Sequence, residues 1–241
     1  MFEQKNFVQS PRLVCTFSNR HQQNMSLAYG DTGQALPSRK SFLEPLGIDY
    51  RHLVAAEQTH GSTIACVSAA DRGRGALTYD TAFRSTDAFI TNEPCVPVSI
   101  FTADCLSVFI YDTKTHALGL VHAGWRGTAA GVVARTVLEM QRTFNADPKS
   151  MIVGLGPAIR RCCYQVGEEF NDFFTFGVYK VDDSYYLDLI ETNTRQLLDS
   201  GVDRNRITDS GVCTACHAED FFSYRREGAS CGRSMSVMML R

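Results

Sequence analysis

The chain of 241 residues reads as an α+β protein, one domain over residues 1–241 with mixed, largely antiparallel sheets. Three observations predict this. Short apolar runs separated by tight turns fill the first half. Helical three- and four-residue spacing becomes sustained only from about Thr128. The ordering of strands and helices is too irregular for a doubly wound βαβ repeat.

Taken in order, Leu13 to Phe17 reads as a strand and Arg39 to Leu46 as a short helix ended by Gly47. Leu53 to Ala56 and Thr63 to Val67 are β-like runs that flank a turn at His60. A polar loop from Asp71 to Arg84 follows. Asp87 to Thr91, Val96 to Tyr111 and Ala117 to Val121 are strand-rich. From Thr128, residues Val132, Val133, Thr136, Val137 and Met140 repeat at helical spacing up to Phe144. Met151 to Leu155 returns to strand. Glu168 to Phe176 and Leu187 to Leu198 read as helices, the second ended by Gly201. Met235 to Leu240 is a closing strand.

Bulk properties exclude several function classes. The net charge of −2 gives no general attraction to nucleic acid or to anionic membrane surfaces. No apolar run approaches the roughly 18 residues of a membrane span. Met1 to Pro11 shows no signal-peptide core, so a cytoplasmic location is expected. Nine cysteines in such a chain are expected to be mostly reduced. Cys15, Cys66 and Cys95, in apolar strand-like contexts, are expected in the core.

The richest segment is Gly119-Leu120-Val121-His122-Ala123-Gly124-Trp125-Arg126-Gly127. A strand runs into a histidine, a glycine-flanked turn and a helix. Cys105 lies in Thr102-Ala103-Asp104-Cys105, and His60 in Glu57-Gln58-Thr59-His60-Gly61. Hairpin geometry links two of the three. If Asp112 to Thr115 is a four-residue loop, Tyr111 opposes His116 and Cys105 opposes His122, with Cβ atoms about 4.5–5.5 Å apart. A slipped register would break that inference.

Two imidazoles and a thiolate suit zinc with one position left open. They also suit copper, or a metal-free thiol nucleophile with a histidine base. A buried thiol beside two hydrogen-bonded histidines is the plain alternative. The Gly124–Gly127 turn opens a helix, whose N-terminus attracts anions, and Arg126 adds a phosphate contact; a surface ion pair for Arg126 is the simpler alternative. Asp104 is a candidate general acid, although strand alternation turns it away from Cys105.

Cys213-Thr214-Ala215-Cys216-His217 matches the c-type haem attachment pattern. Without an export signal, ordinary thiols are the default there, with a redox pair or second metal site as alternatives. Cys162-Cys163 has no neighbouring histidine and is read as packing. Phe221 to Arg226 interleaves aromatics with Arg225 and Arg226, which suits a ligand anion better than nucleic acid on an acidic chain.

Together, Glu57–Gly61, Thr102–Cys105, Val121–Gly127, Gly154–Ile159 with Cys162-Cys163-Tyr164, and Phe222–Arg226 resemble one family. It is the laccase-like multicopper polyphenol oxidase family, also described as purine nucleoside phosphorylases of the YfiH/YlmD type. The resemblance covers nearly the whole chain. It implies a layered α/β/β/α sandwich, similar to the catalytic domain of the cytotoxic necrotizing factors. It implies zinc on His60, Cys105 and His122, with copper as the alternative metal. The implied activities are phosphorolysis of adenosine, inosine, guanosine and methylthioadenosine, and deamination of adenosine. The substrates are then a purine nucleoside and phosphate, contacted by Arg126, Arg20 and Arg225. Some relatives are described as peptidoglycan editing factors, which makes a Cys–His hydrolase on a cell-wall precursor an alternative. The chain departs from the family pattern at Phe17 to Gln23, where the usual glycines are missing but Arg20 stays in register.

Overall fold

The structure is a computed structural model that describes residues 2–3 and 10–241. Most of the Met1–Pro11 segment therefore lies outside the described residues. In chain order the strands and α-helices are β1 (Phe2–Glu3), β2 (Leu13–Phe17), α1 (Ala35–Leu43), β3 (Ile64–Cys66), β4 (Ala88–Thr91), β5 (Val98–Thr102), β6 (Leu106–Asp112) and β7 (Leu118–Ala123). They continue with α2 (Trp125–Ala129), α3 (Val132–Phe144), β8 (Met151–Leu155), β9 (Gln165–Val166), β10 (Val178–Val181), β11 (Ser184–Leu187), α4 (Leu189–Asp199), β12 (Ile207–Asp209), α5 (Tyr224–Glu227) and β13 (Ser234–Leu240).

A six-stranded sheet runs β12-β8-β6-β7-β4-β3. Its two edge pairs, β12 with β8 and β3 with β4, are parallel, and the inner pairs are antiparallel. A four-stranded antiparallel sheet runs β1-β2-β13-β5. A small three-stranded sheet, β10-β11-β9, stands apart.

Alternation along the strands explains the layering. On β6, Val108 and Ile110 join Val133, Val137 and Met140 of α3 and Leu197 of α4. Phe109 and Tyr111 point the other way, onto Cys15, Phe17, Ile100 and Met238 of the four-stranded sheet. The outer face of that sheet, with Val14, Met235 and Val237, packs on Phe42 and Leu43 of α1. The order of layers is helix, sheet, sheet, helix, the expected α/β/β/α sandwich.

Several expectations need correction. The hairpin register is slipped by two residues: Tyr111 pairs with Leu118, and Ser107, not Cys105, pairs with His122. The cause is Asp112. Instead of entering the loop it ends β6, and its carboxylate accepts from Lys114 N, Thr115 N and Thr115 Oγ1. His116 then closes the turn at φ 59°. A two-residue slip keeps every side chain on its face, so Cys105 remains on the side of His122.

The helix expected from Thr128 is two helices. Gly131, at φ 74°, turns the chain between α2 and α3. The first begins at Trp125 and has only five residues, too short for a substantial dipole. Of the helix expected over Glu168 to Phe176, only a 3₁₀ turn at Glu168–Asp172 forms, and Leu187 belongs to β11. Cys15 is buried as expected, but Cys66, on an edge strand, and Cys95, in a turn, are exposed. Among the described residues, no helix is long and apolar enough to cross a membrane.

Candidate functional site

The site sits at one end of the seam between the two large sheets. His122 lies near the end of β7 on the inter-sheet face, one alternation beyond Leu120, and is 2% exposed. Cys105 stands just before β6, after Asp104 turns the chain at φ 92°. His60 reaches in from the turn between Ala56 and β3, itself at φ 61°. The Gln58 side chain bolts that turn to β5, donating to Phe101 O at 3.0 Å and accepting from Phe101 N at 2.7 Å. The donor atoms of His60, Cys105 and His122 all lie within 4.8 Å of one another. The two imidazole rings meet edge to face.

Asp87 organises both histidines. Its buried carboxylate accepts from His122 Nδ1 at 2.7 Å, His60 N at 3.0 Å and Gly61 N at 2.7 Å. Its own carbonyl accepts from His122 N. A carboxylate on Nδ1 fixes the tautomer and leaves Nε2 for the site. Sequence reading places Asp87 only at the start of a strand. An acidic residue entering an otherwise apolar buried run is the signal that could have found it.

Electrostatics couple the group. Burial alone would raise the Cys105 thiol, but the imidazoles of His122 and His60 bring it down to about 6. Burial alone would make His122 less basic, yet Cys105 and Asp87 raise it to about 9. The two shifts reinforce each other, favouring the Cys105 thiolate and a more basic His122. Asp87 is held below the usual carboxylate range: burial opposes this, and His122 with the turn amides outweighs it.

Two glycines make the close approach possible. A Cβ on Gly124 would stand 2.8 Å from His60 Cδ2 and 3.0 Å from Cys105 Sγ. A Cβ on Gly127 would stand 2.7 Å from the carbonyl of Gly61. The spacing in Gly-Trp-Arg-Gly thus lets α2 lie directly over the His60 turn.

All three side chains line a cavity of about 490 Å³. Its walls include Trp125, Tyr164, Phe101, Tyr29 and Tyr224. Trp125 is braced by Phe170 and Phe173. Burial, with Cys105 nearby, pushes the Tyr164 phenol up, so it stays protonated.

The predicted arginines fare differently. Arg126 lines the cavity, exposed and stacked on Trp125 at 4.5 Å. Arg225 also lines it, with Nη1 on Cys163 O and Gln165 O. Arg20 is not on the lining. Its guanidinium is tied to Glu227 and lies over Phe222. Two arginines that sequence reading missed do line the cavity, Arg39 and Arg233. Arg39 is 1% exposed and donates to the carbonyls of Met25, Gly75 and Ala76. Burial lowers it to about 9. Asp104 is fully engaged, accepting from Thr214 Oγ1, Ser223 Oγ and Arg225 N. Those bonds brace the Cys105 turn.

Comparison with known proteins agrees with this fold. The family described as multi-copper polyphenol oxidoreductase laccase matches residues 14–241. The purine nucleoside phosphorylase YlmD of Geobacillus stearothermophilus is 34% identical over 225 residues, covering 89% of this chain and 82% of that protein. A protein named adenosine deaminase RL5, from an unknown prokaryotic organism, is 28% identical over 86% of this chain and 82% of its own length. Among solved structures, YlmD from Geobacillus stearothermophilus superposes with a TM-score of 0.92 at 31% identity, covering 96% of this chain and 93% of that one. The hypothetical protein YfiH of Bacillus licheniformis gives 0.91 at 30% identity, over 97% and 98%. The chain belongs to the laccase-like multicopper polyphenol oxidoreductase family, together with the YlmD purine nucleoside phosphorylases.

Proposed function

We propose that the protein is a zinc-dependent enzyme of purine nucleosides. It cleaves adenosine, inosine, guanosine and methylthioadenosine with phosphate, and it deaminates adenosine. The observation that carries this reading is the convergence of His60, Cys105 and His122 on the lining of a cavity of about 490 Å³. That volume suits a small ligand. The names of the relatives supply the substrate class.

The donor set fits the metal. One thiolate and two imidazoles are ordinary zinc ligands, and three protein ligands leave a position open. Copper takes the same donors. A multicopper phenol oxidase needs further histidine-rich sites, however, and the other metal-competent group among the described residues is made of cysteines alone. When bound, zinc supplies Lewis-acid chemistry toward water or a substrate oxygen.

The chain's own residues do the rest. Asp87 holds His122 so that Nε2 faces the site. Trp125 and Tyr164 offer aromatic faces to a purine, and the protonated Tyr164 phenol can donate a hydrogen bond to it. Arg126 and Arg225 place guanidinium groups on the lining for phosphate. In phosphorolysis a phosphate oxygen bonds to C1′ as the C1′–N9 bond breaks and its electron pair leaves with the base. Nine free cysteines suit a reducing, cytoplasmic setting.

One observation favours a second reading. Cys105, His122 and Asp87 are linked in the manner of a thiol nucleophile, its base and the group that orients it. This would serve a metal-free hydrolase acting on a peptidoglycan precursor. Metal analysis of the purified protein, combined with phosphate-dependent release of adenine from adenosine, separates the two. Full phosphorolysis by both Cys105→Ala and His122→Ala would overturn the proposal.

A further inference from the structure

We propose that Cys162, Cys163, Cys213 and Cys216 form a second metal site, a closed structural zinc centre away from the cavity. Neither cysteine pair announces this alone. Cys162 and Cys163 are adjacent, and Cys213 and Cys216 lie 50 residues further along. The fold brings them together. Cys213 bridges to Ala158 as a parallel partner, which sets the Cys213–Cys216 turn beside the turn that follows Ile159. There, Cys163 N and Tyr164 N both donate to Arg160 O at 2.8 and 2.9 Å. That tight bend brings the sulfurs of two adjacent residues to one partner. Cys162 Sγ and Cys163 Sγ stand 3.6 and 3.3 Å from Cys216 Sγ, and all four sulfurs lie within 4.8 Å of one another.

The geometry is that of a tetrathiolate. Four sulfurs about 2.3 Å from a tetrahedral zinc stand about 3.8 Å from each other, inside the observed spread. The second pair has the Cys-x-x-Cys spacing of a zinc-binding turn. The backbone amides of Cys216 and Arg160 also donate toward Cys213 Sγ. Such amide donors orient and tune metal-bound sulfur.

Without a cation the cluster is self-opposed. Four thiols this close ionise together only around a positive charge. The two ligand turns are also tied by cations. Arg225 Nη1 donates to Cys163 O, and Arg226 Nη1 to Thr214 O and Ala215 O. Four protein sulfurs leave no open position, so the role is structural. Zinc here would pin the Tyr164 turn, a wall of the cavity, to the segment whose Thr214 braces Asp104. Cys162 and Cys216 are exposed, which gives the ion a way in.

The full chain, kept reduced and equilibrated with zinc and then freed of excess, tests this by elemental analysis. A His60→Ala/His122→Ala variant removes the first site. It should still hold one equivalent of zinc per chain and, with cobalt(II) instead, show intense thiolate-to-metal absorption. Adding Cys162→Ser/Cys216→Ser should abolish both signals. Failure of the nucleoside proposal would leave these results untouched. A reduced His60→Ala/His122→Ala protein without zinc overturns the inference, as does a Cys163–Cys216 disulfide that forms in its place under reductant. If either variant fails to fold, wild-type protein decides. Cobalt absorption typical of four thiolates supports the site, and absorption of only one refutes it.

Discussion

Replacing Asp87 by Asn tests how the site is held. The change keeps shape and volume but removes one acceptor oxygen. At present Oδ1 accepts from His122 Nδ1 at 2.7 Å and His60 N at 3.0 Å, while Oδ2 accepts from Gly61 N at 2.7 Å. An amide group must turn its NH₂ toward one of these sets of N–H donors. Either the His60 turn loses its anchor, or His122 loses the partner that sets its tautomer. Loss of a partner behind a metal-binding histidine costs about 10- to 100-fold in metal affinity, or about 1.4–2.8 kcal/mol. A buried donor left unpaired lowers stability by about 1–3 kcal/mol. Competition with a chromophoric zinc chelator reads the first quantity, and urea unfolding of the metal-free protein reads the second. An Asp87→Asn protein that binds zinc within a factor of two of wild type, with unchanged phosphorolysis, would refute the reasoning.

Gly124→Ala places a methyl group 2.8 Å from His60 and 3.0 Å from Cys105. Zinc affinity measured in the same competition should fall at least about 10-fold. Arg126→Ala removes an exposed cation stacked on Trp125. Steady-state kinetics should show a KM for phosphate raised about 10-fold or more, with zinc content unchanged. Asp112→Asn should cost about 1–3 kcal/mol near neutrality, because the carboxylate ends β6 and accepts from Ser150 Oγ at 2.5 Å and Thr115 Oγ1 at 2.6 Å. Burial would raise that carboxyl, but the hydroxyl and amide donors win and hold it low. Its contribution is therefore complete above about pH 4 and is lost as pH falls through the lower folded value. The Asn variant should show a shallower loss of stability over that acid range in urea titrations.

Much of this architecture is legible in the residues. The alternation in Leu106–Asp112 and Leu118–Ala123 identifies the central hairpin and places Cys105 and His122 on one face. The exact pairing is not legible, because it depends on whether Asp112 belongs to strand or loop. Its side-chain bonds to the turn decide that, and they exist only once the turn has formed. The role of Asp87 is hidden for a related reason. It is 35 residues from His122, and only the β4–β7 pairing brings them together. Arg39 reads as an ordinary helix residue, and nothing local marks the three backbone carbonyls that hold it. In the sequence the four cysteines read as two unrelated pairs, since the Ala158–Cys213 bridge that unites them has no sequence pattern of its own.

The cavity has two kinds of boundary. The floor where His60, Cys105 and His122 meet is held at the ends of β6 and β7 and by the turn that Asp87 anchors, beside some of the most deeply buried strands of the protein. Much of the remaining wall comes from loops and short elements drawn from distant stretches, among them Tyr29, Tyr164, Tyr224 and Arg233. Relatives named for different reactions, a purine nucleoside phosphorylase and an adenosine deaminase, match this chain over most of its length. Loops can diverge at little cost to folding, while the buried strands β6 and β7, which hold Cys105 and His122 in place, cannot.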